Sequence, residues 1–322
     1  MTDFLLLKQL QQMVKGVLKP RLAFKKGVSA KGFFRPYMSF ADYTEAEMFS
    51  SYDEITQVTV RFSAMLGDKG TADTVRNIKG MDVRFYSRGS RYDMMCRNMP
   101  VFFINEREKL TKLVNAFTVH EYFDGINSSG LWQFAVENPE AMNCIIRLYS
   151  GMGLSDSYIF ESWYSSGSTV WENSGGERFL VRYMWKPLCA DDERRKAERP
   201  DRSSAEFLAG FDADRAADRL CAAIADGRFP QYELYIQMEK YGASSDAGYT
   251  SATLIWDEKR NPFVAAGMMK LTEIPEDYRN ECELLSFAPG NTVKGIEMHR
   301  SELWEVIDYI YQCEAIERGG WY

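Results

Sequence analysis

Two histidines, His120 and His299, are the only ones in the 322-residue chain. Any proton transfer at neutral pH by an ordinary side chain falls first to them. His299 reads as an exposed loop residue ahead of the last helix. Six cysteines (Cys96, Cys144, Cys189, Cys221, Cys282, Cys313) stand singly, with no C-x-x-C pair and no spacing that would clamp zinc. They read as reduced, mostly buried thiols. The stretch RLAFKKGVSAKGFF, residues 21–34, sets Arg21 ahead of Phe24 and ends in a glycine-aromatic run.

These residues require a folded frame, and the composition supplies one. A hydrophobic fraction of 45% with 14% aromatics fills a sizeable core. A net charge of −7 argues against a nucleic-acid surface, which needs clustered Lys and Arg. No 18-residue apolar run and no signal-peptide pattern occurs, so no membrane span is expected and a cytoplasmic location is. Residues 1–19 read as an N-terminal helix, with Phe4, Leu6, Leu7, Leu10, Met13, Val14, Val17 and Leu18 near one face that packs on the body or on a partner subunit.

Residues 20–322 read as a single α+β domain. Between about 40 and 105, ITQVTVRFSAML, GMDVRFYSRG and PVFFINE are short β runs separated by turn residues. Helix is expected over 107–117 and around LWQFAVENPEAMNCIIRLYS. A second β block follows over 157–186. The charged stretch at 189–204 reads as a surface connection. Ser203 with Glu206 has capping-box spacing, opening one Ala-rich helix that runs to Gly227. Strands at 232–239 and in GMMKLTEI and a last helix over about 301–317 complete the pattern, an antiparallel sheet or barrel with helices.

Taken together, VRFSAMLGDKGTADTVRNIKGMDVRFYSRGSRYDMMCRNMPVFFINE (60–106), GRFPQYELYIQME (227–239) and ELLSFAPGNTVKGIE (283–297) resemble the haem catalases, whose signatures occur here in the same order. The resemblance runs from about residue 20 to the end of the sequence. It implies an eight-stranded antiparallel β-barrel of catalase type holding a buried haem b, with surrounding helices and no C-terminal extra domain. A homodimer or higher homo-oligomer is the implied assembly.

Residue by residue, the resemblance implies Tyr311 as axial ligand of the haem iron. A phenolate donates strongly to ferric iron and suits peroxide chemistry. It implies Arg21, Arg61 and Arg318 as partners of the haem propionates, since guanidinium forks fit carboxylates. Ser63 matches the family's distal serine, and Phe134 the phenylalanine that stacks over the ring; Phe134 reads equally well as plain core.

The departures are informative. Phe24 stands where a catalase carries the distal histidine, and a benzene ring transfers no proton. Counting without gaps from FFI at 102–104 to the W-x-F at 132–134, the family's distal asparagine position falls on His120, giving it a polar role in the distal pocket. Ile307, Ser301 and Met184 replace the arginine, aspartate and histidine that hold the proximal tyrosine as phenolate, so Tyr311 is expected to lack a cationic partner. The anchors are kept while both sides of the iron are rebuilt. The expected function is therefore haem-dependent oxidation or rearrangement of a small organic substrate through peroxide, hydroperoxide or N–O/O–O chemistry. The alternatives are a non-catalytic haem carrier or sensor and a residual weak catalase or peroxidase.

Overall fold

The computed structural model describes residues 21–117, 128–189, 199–242 and 246–318. The helix expected over 1–19 lies outside the described residues. The described residues form ten strands: β1 (Gly27–Pro36), β2 (Thr56–Ala64), β3 (Lys79–Ser87), β4 (Ser90–Arg97), β5 (Trp163–Ser165), β6 (Thr169–Glu172), β7 (Arg178–Pro187), β8 (Gln231–Lys240), β9 (Val264–Glu273) and β10 (Ile296–Met298). The antiparallel ring β1-β2-β3-β4-β5-β7-β8-β9 closes on itself, an eight-stranded barrel. β6 pairs beside β5 on the same edge of β7 and carries β10.

Strand alternation decides what lies inside. Val58, Val60 and Phe62 of β2, Met81, Val83 and Phe85 of β3, and Tyr92, Met94 and Cys96 of β4 belong to one buried cluster with Phe34, Trp163 and Trp185. That set occurs at every second residue, so it fills the barrel interior. An eight-stranded barrel encloses little more than its own side chains. The interior is packed solid with rings; Phe34 contacts Phe49, Phe85 and Trp185 edge-on at 5.5–5.9 Å between centroids. The packed interior leaves no room for a cofactor, so a buried haem belongs outside the barrel wall, under the helices.

The alternate residues Arg61, Ser63, Gly80, Asp82, Met95 and Arg97 point out through the wall. Helices cover them: α1 (Leu110–Phe117), α2 (Ser128–Glu137), α3 (Met142–Tyr149) and, near the end of the described chain, the long Glu302–Glu317 helix. Leu110, Leu113, Phe117, Leu131, Phe134, Ile145, Leu303 and Val306 form their common apolar layer, a second cluster separate from the barrel interior.

Between these, the expected Ala-rich helix is two helices, α4 (Arg202–Phe211) and α5 (Arg215–Ala225). The cap is not Ser203: Asp201, in extended backbone, accepts the Ser204 N–H at 2.7 Å. Asp is as effective there as Ser. The break at Asp212 has a distant cause. The buried Asp73 carboxylate accepts the N–H groups of Ala216 and Ala217 at 3.0 and 3.1 Å, which anchors a new helix start against the loop after β2. Lys26 pairs with the same carboxylate at 3.1 Å. Asp73→Ala is expected to cost on the order of 1–3 kcal/mol, because it leaves two helix N–H donors without their acceptor, while Lys26 keeps Asp214 at 2.7 Å. A urea midpoint equal to wild type would contradict this anchor. The long C-terminal helix, Glu302–Glu317, is labelled α6; its cap is Ser301, whose hydroxyl accepts the Trp304 N–H at 3.3 Å.

Candidate functional site

One hairpin builds one side of the site. β3 and β4 join through Arg88 and Gly89, both at positive φ (37° and 81°), with Ser87 paired to Ser90. That two-residue turn fixes the register and sets Gly80 opposite Arg97. Asp82 is then the diagonal neighbour of Arg97 on the same face, within reach of a long side chain. Arg97 Nη1 donates to Asp82 Oδ1 at 2.6 Å and to the Cys96 carbonyl at 2.6 Å. Both partners are withdrawn from solvent, at 12% and 6% side-chain exposure. Asp82 holds the guanidinium charged, raising it above its ordinary value against the effect of burial.

Phe24 lies over this pair. The Arg97 guanidinium sits 4.3 Å from the Phe24 ring centroid, a cation-π contact. Phe24 takes a left-handed backbone, φ 58°, that bulky residues avoid. Two bonds hold it: its N–H donates to the Met65 carbonyl at 3.0 Å and its carbonyl accepts Arg61 Nη2 at 3.0 Å. Gly80 leaves the room. A Cβ there would meet Ser63 Oγ at 3.0 Å, Arg97 Nη1 at 3.2 Å and Phe24 Cε1 at 3.2 Å.

These residues border a cavity of about 260 Å³ between the outer barrel wall and the helices. Its lining is apolar apart from Arg97, Ser166, Tyr311 and Glu314, with Phe24, Phe102, Phe103, Phe117 and Trp304 as aromatic walls. Tyr311 is half-buried because one side of it faces this space. Burial pushes its phenol up to about 12, while the nearby Arg97 guanidinium acts downward. Cys144 borders the cavity too, and burial raises its thiol well above the ordinary range, leaving it inert.

At the Glu314 end three buried guanidiniums converge. Burial, then the charge of Arg61, then that of Arg318 push Arg21 down to about 9. Arg21 donates to the carbonyls of Glu283, at 3.0 Å, and Leu285; Arg318 bonds the Glu283 carbonyl and meets its carboxylate at 3.3 Å. Donors remain. Among the described residues Arg21 Nε, Arg61 Nε and Arg318 Nη1 are buried without a hydrogen-bond acceptor, as is Ser63 Oγ, although Arg318 Nη1 pairs with the Glu314 carboxylate at 3.8 Å. Orphaned charged donors in a buried cluster are costly and call for an anion. Glu314 lies beside them, its carboxyl raised by burial against the pull of Arg21 and Arg318.

The structure thus brings together most of the residues the sequence points to. Arg21, Arg61 and Arg318 cluster; Phe24 and Tyr311 border one cavity; Ser63 lies beneath Phe24. Phe134 is buried in the apolar layer of α2 and does not border the cavity. His120 lies outside the described residues. His299 is half-buried rather than exposed, its ring 6.4 Å from that of Tyr241. Ile307 borders the cavity, Ser301 caps α6 and Met184 is buried on β7. Tyr311 nonetheless has a cationic neighbour, contrary to expectation, because Arg97 reaches it from the barrel wall. Arg97 and Asp82 are the residues sequence reasoning missed. The hairpin register was the signal that could have found them.

Comparison with known proteins points the same way. The catalase family model matches residues 1–321. The catalase of Latilactobacillus sakei is 29% identical over 303 residues, covering 94% of this chain and 62% of that protein. Catalase A of Pseudomonas putida is 30% identical over 296 residues, covering 91% and 60%. A solved fungal catalase superposes with a TM-score of 0.87 at 27% identity, covering 99% of this chain and 64% of that one. The chain spans under two thirds of the length of these relatives. With a family match across its length and the same barrel, the chain belongs to the catalase family.

Proposed function

We propose that the chain is a haem-dependent enzyme that transforms a small organic substrate by peroxide, hydroperoxide or N–O/O–O chemistry rather than dismutating hydrogen peroxide. The cofactor part is supported by chemistry present at both ends of the cavity. Arg21, Arg61 and Arg318 carry unfilled buried donors suited to the two haem propionates. Tyr311 offers an oxygen ligand to iron from α6, and the apolar walls fit a flat macrocycle. Bound haem b would supply iron-centred oxidation and cleavage of an O–O or N–O bond.

The observation that carries the reaction part is the pairing of Phe24 with Arg97. A catalase relies there on a group that takes a proton from peroxide and gives it back. Phe24 takes none, and Arg97, held charged by Asp82, gives none up. What the pair does instead is fix an N–H fork and an apolar ring over the same space. That arrangement orients an organic molecule and stabilises negative charge on its oxygen without moving a proton.

The test compares two oxidants at equal haem concentration. Cumene hydroperoxide is expected to be consumed faster per haem than hydrogen peroxide, by about tenfold or more, on the premise that the apolar walls bind its organic body. Faster consumption of hydrogen peroxide would overturn the reaction part. Absence of a haem absorption band from purified, haem-supplied protein would overturn the cofactor part.

A further inference from the structure

The pocket's charge balance says more about its occupant. Among the described residues that line the cavity Arg97 is the one cation, but Asp82 already compensates it at 2.6 Å, with both side chains nearly out of solvent. Arg97 Nη1 spends its hydrogens on Asp82 and the Cys96 carbonyl. A guanidinium has five N–H donors in a planar fork, so Nε and Nη2 carry three more; the guanidinium also hydrogen-bonds the Tyr311 hydroxyl, which leaves at least two for a ligand. The guanidinium itself borders the cavity among Phe24, Phe102, Phe103, Phe117 and Trp304.

Two kinds of ligand could use such a fork. A carboxylate would gain a charge-assisted bond, but beside the Arg97–Asp82 pair it brings an uncompensated negative charge into an apolar cavity. Desolvating an unpaired ion costs more than one such bond returns. An uncharged oxygen acceptor gains the bond without that cost. The aromatic walls supply the rest of its affinity by burial and ring contact.

We infer that Arg97, positioned by Asp82, is a specificity-determining residue that selects an uncharged aryl or similarly apolar molecule by an oxygen acceptor such as a carbonyl, and rejects organic anions. Asp82 is a positioning residue. It orients the fork and supplies the negative charge that keeps carboxylates out. Gly80 completes the device, since any side chain there would push against Arg97, Ser63 and Phe24. This selectivity rests on the reading of the cavity as the reactive pocket. Haem content, measured on every preparation, separates a failure of that reading from a failure of this one.

The test is calorimetric titration of the haem-supplied protein at pH 7 with four matched probes: acetophenone, benzamide, benzoate and ethylbenzene. Acetophenone and benzamide are expected to bind, with benzoate and ethylbenzene each at least about tenfold weaker, the former for its charge and the latter for its missing acceptor. Arg97→Met should erase the preference for acetophenone over ethylbenzene. Asp82→Asn leaves Arg97 uncompensated and should reverse the preference towards benzoate, a change that a merely structural role for Asp82 does not produce. The wild-type series decides even if a variant does not fold. Benzoate binding as tightly as benzamide, or ethylbenzene as tightly as acetophenone, would overturn the assignment.

Discussion

Tyr311→Phe is expected to leave a folded protein that no longer retains haem. The substitution removes one oxygen and keeps the ring that borders the cavity, so α6 and its Ser301 cap are undisturbed. The oxygen it removes is the donor that α6 places in the space leading to the arginine cluster. Burial keeps this phenol protonated in the haem-free state, pushed up to about 12, so ligation has to displace a proton, and Arg97 eases that loss from the barrel side. The loss in retention should exceed the roughly 10- to 100-fold that even outer-shell changes cost a metal site. Haem content of the purified variant, measured by pyridine haemochrome absorbance beside wild type, checks this. Equal content with an unchanged spectrum would remove Tyr311 from the iron.

Phe24→His carries the second large effect, a gain. Phe24 sits at φ 58°, where a bulky residue pays on the order of 1–2 kcal/mol. Histidine is several-fold enriched in that backbone region, so the variant should fold at least as well. Its imidazole would stand beside the charged Arg97 guanidinium, whose ring contact is now 4.3 Å. A like charge disfavours imidazolium, keeping the ring neutral and able to accept a proton at pH 7. Restored proton transfer should raise hydrogen peroxide dismutation per haem by roughly 10². No gain, with haem bound, would mean that proton transfer above the cavity is not what limits the wild-type protein.

The sequence carried the barrel well and the site unevenly, for reasons visible in particular residues. GMDVRFYSRG was legible as one alternating run ending at Arg88-Gly89, but its hairpin partner β4 was not, and PVFFINE, read as a β run, forms no strand. Counting back from that turn reaches the Gly80–Arg97 pair and the Asp82 diagonal, yet Arg97 looks like any strand-end arginine until the register is counted. The position of the cavity was not legible. β2 is buried at every residue from Val58 to Ala64, because one face fills the barrel and the other lies under helices. Alternation, the usual guide to the buried face, is erased when both faces are covered. The break between α4 and α5 was hidden for another reason. Its cause, Asp73, lies more than a hundred residues away, beyond any local pattern of capping or helix propensity.

The same distance explains the surroundings of Tyr311. Ile307, Ser301 and Met184 offer Tyr311 no charge from its own helix or from β7, so a reading confined to those positions finds the tyrosine unpartnered. The cation comes instead from β4.

Oxygen evolution from hydrogen peroxide, normalised to haem by absorbance and measured beside an ordinary catalase, tests the central claim most directly. The wild-type protein is expected to carry haem and yet evolve oxygen about 10² to 10⁴ times more slowly per haem, the contribution of a positioned acid-base group that Phe24 and Arg97 do not provide. Oxygen evolution at the rate of the ordinary catalase, from the wild-type chain with Phe24 in place, would contradict it.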